Sequence, residues 1–201
     1  MAQRYFSLTN EPSGEYKEKG SKFLAFAYPV RTEQDVKEKL EALRKRYYDA
    51  RHHCYAYVIG LDKQQHRAND DGEPNHSAGD PILGQIRSHE LTNCLVVVVR
   101  YFGGTKLGVP GLVHAYKTAA AYALEKATRI ELIKTVPVHF TFGYDQLGTV
   151  ERWIEEWNLV VHTRNFTDTC TLTADAPEEC VSEIQARLIE FPLIGFSSVN
   201  S

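Results

Sequence analysis

The chain has 201 residues, of which 43% are hydrophobic and 24% are charged, and its formal net charge is −3. This composition is typical of a folded globular protein and argues against a disordered or fibrous chain. No apolar run approaches the roughly 20 residues that span a bilayer, and the N-terminus lacks the apolar core of a signal peptide, so we predict a cytoplasmic protein without membrane contact. The four cysteines form no CxxC pair, which favours buried free thiols over a disulfide framework or a zinc site.

The charges are divided unevenly along the chain. Residues 1–134 contain 20 Lys and Arg against 16 Asp and Glu, a net charge of +4, whereas residues 135–201 contain 3 against 10, a net charge of −7. This asymmetry indicates either two parts that face different partners or a chance bias of the surface. The polar segment TRIELIKT is the predicted junction, and the predicted domains are residues 1–131 and 132–201.

The first third of the chain is predicted to form strands and one helix. Strands are expected at Arg4–Leu8 and Lys22–Tyr28, separated by a turn at Pro12–Gly14. Thr32 is the predicted N-cap of a helix, with Asp35 completing a capping box. The apolar stripe of this helix consists of Val36, Leu40, Leu43 and Tyr47. Its basic end suits phosphate contacts, although cations at a helix C-terminus also stabilise the helix dipole; the cations are Arg44, Lys45, Arg46 and Arg51.

A predicted strand at His53–Ile59 leads into a long polar loop, HRANDDGEPNHSAGDP. The loop is rich in side chains that can bind a divalent cation, namely Asp70, Asp71, Glu73, His76 and Asp80. Because their spacing matches no known metal-binding motif, a polar loop held by Asx turns is the favoured interpretation, and we predict no metal and no cofactor. Asp80 and Pro81 are the predicted N-cap and first residue of a short helix that ends at Ile86.

The most unusual segment is CLVVVVRYFGGTKLGVPGLVHAYK, residues 94–117. Its apolar run, Cys94–Val99, predicts a central strand covered on both faces. After Arg100 comes a glycine-rich loop that contains Gly103, Gly104, Gly108 and Gly111. Pro110 suits the first position of a following helix, whose predicted inner face is Leu112, Val113, Tyr116, Ala119, Ala120 and Ala123.

The start of this helix, with Arg100 and Lys106 beside it, is a candidate anion site for a phosphate or a carboxylate. The segment lacks the Gly-Lys-Ser/Thr ending of a Walker loop and contains no GxGxxG motif. A tight connection whose glycines serve packing alone is the alternative.

The remaining elements follow the order βαββαβ. They are strand Val136–Phe142, helix Asp145–Trp157, strands Leu159–Arg164 and Thr167–Ala174, helix Pro177–Glu190 and a short strand near Leu193–Ser197. Each helix carries a single apolar stripe, which indicates packing on one face of an antiparallel sheet. A ferredoxin-like domain with acidic helices is therefore predicted, and the fold class is α+β.

Three segments, RANDDGEP, SAGDP and VVVVRYFGGTKLGVPGLVHAY, resemble the signature segments of the IMPACT family, and nearly the whole chain resembles its bacterial, YigZ-type branch. The resemblance implies an N-terminal α/β sandwich similar to the second domain of a small-subunit ribosomal protein. It also implies a C-terminal ferredoxin-like domain similar to a late domain of translocation elongation factors. Eukaryotic members regulate translation by interfering with activation of a starvation-responsive kinase, but they use an additional N-terminal domain, so that role is not carried over.

The resemblance also implies which residues form the family's motifs. In the acidic loop they are Asp70, Asp71, Gly72, Glu73 and Pro74. In the second segment they are Arg100, Tyr101, Phe102, Gly103, Gly104, Leu107, Gly108, Gly111, Leu112, Ala115 and Tyr116. The chain departs from the family at residues 75–77, where Asn-His-Ser replaces the Ser-Gly-Thr of many relatives, so either the loop backbone or its set of ligands is expected to differ there.

Three functional hypotheses follow. The first is a translation-linked protein that binds RNA, the ribosome or a translation factor. Its contacts would be Arg100, Lys106, His114, Lys117 and the basic helix end, with Tyr101 and Phe102 either stacking on bases or serving as core residues. The second is an enzyme acting on a nucleotide or phosphorylated metabolite between the acidic and glycine-rich loops. In it, Asp71 or Glu73 would bind a cation or act as base, Arg100 and Lys106 would hold the anion, and a histidine would exchange protons, namely His53, His76 or His114. The third is a protein-interaction module that pairs through the second sheet.

Overall fold

The computed structural model describes residues 5–198. Contacts between Cα atoms divide this range into two compact units, which meet in sequence at Leu132 and Ile133. The protein is α+β, with a five-stranded antiparallel sheet in the first unit and a four-stranded antiparallel sheet in the second.

The N-terminal unit contains seven strands and three helices. The strands are β1 (Tyr5–Leu8), β2 (Ser13–Glu18), β3 (Ser21–Pro29), β4 (His52–Ile59), β5 (Gln65–Asn69), β6 (Cys94–Tyr101) and β7 (Arg129–Leu132). The helices are α1 (Glu33–Arg46), α2 (Gly79–Ser88) and α3 (Gly108–Leu124). The main sheet has the order β2-β3-β6-β4-β5, and β1 pairs with β7 in a separate two-stranded sheet.

Strand β6 is the centre of the main sheet, as its apolar sequence predicts. One face of the strand, including Val96 and Val98, packs with residues of α2 and α3. The opposite face, including Leu95 and Val97, packs with the buried residues of α1. Because both faces are covered, every residue from Cys94 to Arg100 is buried, and the unbroken run of β-branched residues has a structural explanation.

Helix α1 begins as the capping signal predicts. The Thr32 hydroxyl accepts a hydrogen bond from the Asp35 N–H, and the Asp35 carboxylate accepts one from the Thr32 N–H. Val36, Leu40 and Leu43 are buried. The α1 prediction is therefore confirmed in its start and in its core-facing side.

Two predicted irregular segments are strands instead. The predicted turn at Pro12–Gly14 is wrong, because Ser13 and Gly14 begin β2, which pairs with β3 through a turn at Lys19 and Gly20. Both turn residues have positive φ, the geometry that a two-residue hairpin requires. The beginning of the predicted polar loop, His66–Asn69, belongs to β5. Both strands lie at sheet edges and carry mostly polar, exposed side chains, so hydrophobic periodicity does not reveal them.

The C-terminal unit has the predicted element order. Its strands are β8 (Thr135–Phe142), β9 (Val160–Phe166), β10 (Cys170–Pro177) and β11 (Gly195–Ser198), and its helices are α4 (Leu147–Glu156) and α5 (Val181–Leu188). The sheet order β11-β8-β10-β9 places the last strand beside the first and the third beside the second, as in a ferredoxin-like domain. Both helices begin later than predicted, because each is preceded by a short 3₁₀ turn.

The cysteine prediction is confirmed for the described residues. All four thiols are free, and Cys54, Cys94 and Cys170 are buried whereas Cys180 is partly exposed. Within residues 5–198, no helix is both long enough and apolar enough to cross a membrane.

Candidate functional site

A buried ion pair links the acidic loop to the end of β6. Arg100 Nη1 lies 2.5 Å from Glu73 Oε1, and the two side chains are only 7% and 4% exposed. Glu73 is positioned by its own backbone N–H, which donates to Asp70 O at 2.9 Å. Arg100 is held by the register of β6, in which it pairs with His52 of β4 and Phe23 of β3. Two segments that are far apart in sequence therefore meet beneath the surface.

A chain of buried hydrogen bonds continues from this ion pair into α3. The Tyr116 hydroxyl donates to Glu73 Oε1 at 2.8 Å, and the Cys54 thiol lies 3.3 Å from the same hydroxyl and 3.0 Å from Asp70 O. Burial raises the pKa of both Cys54 and Tyr116 well above the ordinary range. Both groups are therefore protonated at neutral pH. The hydrogen bonds of this cluster connect the acidic loop with β4, β6 and α3.

The other carboxylates of the acidic loop also hold protein groups. Asp70 Oδ1 accepts from the N–H groups of Ala78 and Gly79, and its Oδ2 accepts from His76 N–H. Burial opposes ionisation of Asp70, but these backbone hydrogen bonds outweigh it and lower the pKa. Asp70 thus caps α2, although it lies eight and nine residues before Ala78 and Gly79, from whose N–H groups it accepts hydrogen bonds.

The predicted N-cap of α2 is therefore wrong. Asp80 lies in the first turn of the helix, Ala78 is at the cap position, and no side chain of the cap residue makes a capping hydrogen bond. Helix α2 also begins before Pro81, its predicted first residue. The sequence does not reveal this start, because the capping acceptor, Asp70, is a loop residue that is distant in sequence. Asp80 instead lies 2.6 Å from His76 Nδ1 and, through this hydrogen bond, raises the pKa of the imidazole.

Asp71 joins the acidic loop to the end of α1. Its Oδ2 accepts from His53 N–H at 2.7 Å, and its Oδ1 lies 3.4 Å from Arg44 Nη2. Its own N–H donates to Asn69 Oδ1 at 2.8 Å, an Asx turn of the kind expected. Across the described range no group of three or more His, Cys, Asp or Glu side chains has the geometry of a metal site.

The departure from the family motif lies at a strained position. His76, where many relatives have glycine, has φ of 64°. This left-handed conformation is the one that glycine adopts without cost and that other residues adopt with some strain. The loop at His76 therefore has a backbone conformation that glycine adopts most easily.

The glycine-rich loop is anchored by a close approach of two backbones. A Cβ added to Gly103 would lie 1.9 Å from Gly20 C, and the Gly103 N–H donates to Ser21 Oγ at 3.1 Å. Gly104 follows with φ of 87°. Gly103 is thus required for packing against the β2-β3 turn, and Gly104 for a left-handed backbone.

The glycine-rich loop leads into the start of α3, which is exposed at the surface. Residues 102–106 are exposed, as are Gly108, Val109 and Pro110. Helix α3 begins at Gly108, so Pro110 is not its first residue, and the cap residue Leu107 provides no side-chain cap. The first turn consequently presents the backbone N–H groups of Gly108 and Val109 without a side-chain acceptor among the described residues, with the positive end of the helix dipole behind them; Pro110 has no N–H.

Exposed basic side chains lie just before this helix start and further along α3. Lys106 precedes α3, and His114 and Lys117 are exposed at a spacing of one helical turn. Lys106 and Lys117 form no salt bridge with any described residue. Arg100, by contrast, is buried and neutralised by Glu73, so the structure separates it from the exposed cations with which the sequence grouped it.

A groove of about 430 Å³ opens beside the beginning of the glycine-rich loop. It is lined by Asp49, Arg51, Arg100, Tyr101 and Phe102. The Tyr101 hydroxyl donates to Asp49 Oδ1 at 2.7 Å, and this hydrogen bond raises the pKa of Tyr101 to about 12. The Phe102 ring is 55% exposed and lies 5.6 Å from the Arg100 guanidinium. The groove thus combines a carboxylate, guanidinium groups and an accessible aromatic face.

Sequence reasoning found most of this region but missed three of its residues. Asp49, Cys54 and Ser21 carry no local signal, because their roles depend on contacts with residues that lie far away in the chain. The sequence also suggested that the acidic and glycine-rich loops share a cleft. The structure brings them together through Glu73 and Arg100, and this contact is buried.

The fold and this region define a two-domain α+β protein in which an acidic loop, joined to the central strand by the buried Glu73–Arg100 pair, supports an exposed glycine-rich helix start. Residues 19–124 match the model of the Impact N-terminal domain, and residues 140–191 match a domain of unknown function, DUF1949. The chain belongs to the IMPACT family.

Relatives and a solved structure agree with this assignment. The chain is 32% identical to the IMPACT family member YvyE of Bacillus subtilis over 84% of its own length and 77% of that protein. It is also 32% identical to the IMPACT family member YigZ of Escherichia coli over 86% of each chain. A crystal structure described as a hypothetical protein matches the full length of both chains with a TM-score of 0.74 and 27% identity.

Proposed function

We propose that this protein binds RNA through the surface formed by the glycine-rich loop and the first turn of α3, and that it acts in connection with translation. The observation that carries the proposal is the exposed helix start without a side-chain cap, with Lys106 just before it and Lys117 about two and a half turns further along α3, neither in a salt bridge with a described residue. Free backbone N–H groups together with cations are a favourable environment for phosphate oxygens.

An exposed aromatic side chain adds a feature specific to nucleic acid. Phe102 stands next to this surface and is 55% exposed, with its ring 5.6 Å from the Arg100 guanidinium. Proteins that bind single-stranded RNA use such rings as platforms for unstacked bases. Phosphate and base contacts are therefore available within one continuous loop.

The distribution of charge supports the same face. The segment 1–134 has a net charge of +4, although the whole chain has −3. Several acidic residues of this segment are already engaged with cations of the same domain, among them Glu73 with Arg100 and Asp71 with Arg44. The cations around α3 remain available to an external anion, and long-range attraction to RNA follows from this excess.

The link to translation rests on the family resemblance. The domains of this family resemble a ribosomal protein domain and an elongation-factor domain, and its eukaryotic members regulate translation. The structured RNA and the exposed single strands of the ribosome are accordingly the RNA that we expect this surface to meet. The alternative outcome is that the protein contacts a translation factor and does not bind RNA.

The same geometry gives less support to catalysis between the two loops. Glu73, a candidate base, is committed to Arg100 and Tyr116 and is buried. Cys54 has no adjacent base, and burial raises the pKa of its thiol, so it does not supply a thiolate nucleophile. The exposed groups of this region suit binding better than bond cleavage.

The proposal is tested by titrating fluorescently labelled single-stranded RNA with the full-length protein at several salt concentrations. We expect affinity to fall as salt rises, with a log-log slope of about −0.7 for each phosphate neutralised. Lys106→Ala with Lys117→Ala should weaken binding and reduce that slope by about 1 to 2, since each lysine accounts for about one phosphate. Lys63→Ala with Lys37→Ala, on other parts of the same domain, is the matched control. Binding that does not depend on salt or on the α3 lysines would contradict the proposal.

A further inference from the structure

The groove beside the glycine-rich loop contains a buried donor without an acceptor. Arg100 is 6% exposed; its Nη1 donates to Glu73 and its Nη2 lies 3.5 Å from Ser21 Oγ. Its Nε has no hydrogen-bond partner among the described residues. Buried donors are rarely left unsatisfied in native proteins. Arg100 lines the groove, so a ligand that reorients its guanidinium would give this unused Nε an acceptor.

The groove also contains the carboxylate of Asp49, which accepts a hydrogen bond at only one of its two oxygens from the described residues. Asp49 is exposed, and the Tyr101 hydroxyl donates to its Oδ1. Asp49 forms no salt bridge with a described residue, although Arg51 lines the same groove. A carboxylate accepts two parallel hydrogen bonds from a ligand with two adjacent N–H donors. An entirely anionic ligand would be repelled by it.

Guanine matches these requirements better than the other bases. Its Watson–Crick edge places two adjacent donors, N1–H and the N2 amino group, next to a carbonyl acceptor, O6. Adenine and cytosine offer one amino group beside an acceptor, and uracil offers a single N–H between two acceptors. The carboxylate of Asp49 therefore distinguishes guanine from the rest, and Arg100 Nε is the donor still available for O6.

We propose that this groove binds an unpaired guanine nucleotide of the RNA, with the base stacked on Phe102, its Watson–Crick edge on Asp49 and its phosphate on Arg51. The inference rests on the RNA binding proposed above and adds base preference to it. Phe102 provides a sequence-tolerant contribution, since any base can stack on it. Asp49 provides the discrimination.

The test uses full-length protein and labelled octanucleotides of uridine that carry one central guanosine, adenosine or cytidine. Fluorescence anisotropy should show the guanosine oligonucleotide bound roughly tenfold more tightly than the other two, the discrimination typical of a bidentate base contact. Asp49→Asn should abolish this preference, because an amide offers one donor and one acceptor in place of two acceptors. Phe102→Leu should weaken all three oligonucleotides by a similar factor of roughly ten.

Asp62→Asn is the matched control, because Asp62 is an exposed aspartate at the far end of β4, and it should retain the preference for guanosine. Equal affinity for the three oligonucleotides, with binding still lost in the double Lys106 and Lys117 variant, would overturn the guanine inference and leave RNA binding intact. No binding of any oligonucleotide by the wild-type protein would overturn both proposals.

Discussion

Arg100 Nη1 lies 2.5 Å from Glu73 Oε1 in the protein interior, and this contact fastens the acidic loop to the strand that leads into the glycine-rich loop. Tyr116 of α3 donates to the same carboxylate oxygen. The acidic-loop motif and the glycine-rich motif are separate in sequence, but the buried contacts of Glu73 with Arg100 and Tyr116 join them. The glycine-rich loop, the surface that we propose binds RNA, depends on this buried contact.

Glu73→Gln should strongly destabilise the N-terminal domain. The substitution leaves the Arg100 charge buried without its counter-charge, and breaking a buried pair in this way costs about 3–5 kcal/mol in free energy of unfolding. Urea denaturation followed by far-UV circular dichroism measures the loss. Glu41→Gln, on the exposed side of α1, should stay within about 0.5 kcal/mol of wild type. An equally small effect at Glu73 would show that the ion pair does not support the fold.

Two glycine substitutions should have opposite effects. Gly103→Ala forces a Cβ to within 1.9 Å of Gly20 C, so the loop or the β2-β3 turn must shift and stability should fall. Gly84→Ala, at an exposed position within α2 where a Cβ meets nothing within 4 Å, should stabilise the protein by up to about 1 kcal/mol. Thermal denaturation compares the two variants directly. Tolerance of alanine at both positions would contradict the close packing of Gly103.

Asp70 should contribute to stability in a pH-dependent manner. Its pKa is lowered in the folded protein by the hydrogen bonds that cap α2. A lowered folded-state pKa means that the contribution is fully present above the ordinary aspartate pKa of about 3.9 and is lost as the pH falls through the lower, folded-state value.

Asp70→Asn should therefore be less stable than wild type at neutral pH, and the difference should shrink on acidification through that window. The free energy of unfolding at a series of pH values measures the effect, and Asp62→Asn is the control, since Asp62 accepts one hydrogen bond in an exposed turn. A difference between wild type and Asp70→Asn that stays constant from pH 7 to pH 3 would refute a role for the Asp70 charge.

Local signals in the sequence predicted much of the fold. The capping box of Thr32 and Asp35 and the apolar run of β6 depend on neighbouring residues, and both were identified correctly. The capping of α2 by Asp70 was not, because its carboxylate lies eight and nine residues before the N–H groups that it caps. Strand β2 was missed because its side chains at the sheet edge are mostly polar and exposed.

The candidate site shows the same limit. Arg100 and Glu73 were both singled out, yet their pairing across 27 residues of sequence was not predicted, and Arg100 was expected at the surface. A charged side chain directly after an apolar strand is equally compatible with burial beside a partner and with exposure. Only the strand register and the path of the acidic loop distinguish the two.

The cysteines should react in two phases. Cys180 is partly exposed, whereas Cys54, Cys94 and Cys170 are buried, and burial also raises the pKa of Cys54 and Cys94. A thiol reagent at neutral pH should modify one thiol per molecule in the native state and the other three only after unfolding. Cys180→Ser should remove the native-state reaction, and rapid modification of a second thiol would contradict the burial of Cys54, Cys94 and Cys170.

The central claim is that RNA binds at the glycine-rich loop and the start of α3, and the most direct measurement is amide NMR of the ¹⁵N-labelled full-length protein during titration with single-stranded RNA. Glycine amides occupy a well-separated spectral region, so Gly103, Gly104, Gly108 and Gly111 can report on the site individually. We predict salt-sensitive shifts of these amides and of Lys106, with little change at Gly148 and Gly195 of the acidic second domain. Shifts confined to the second domain, or none at all, would contradict the account.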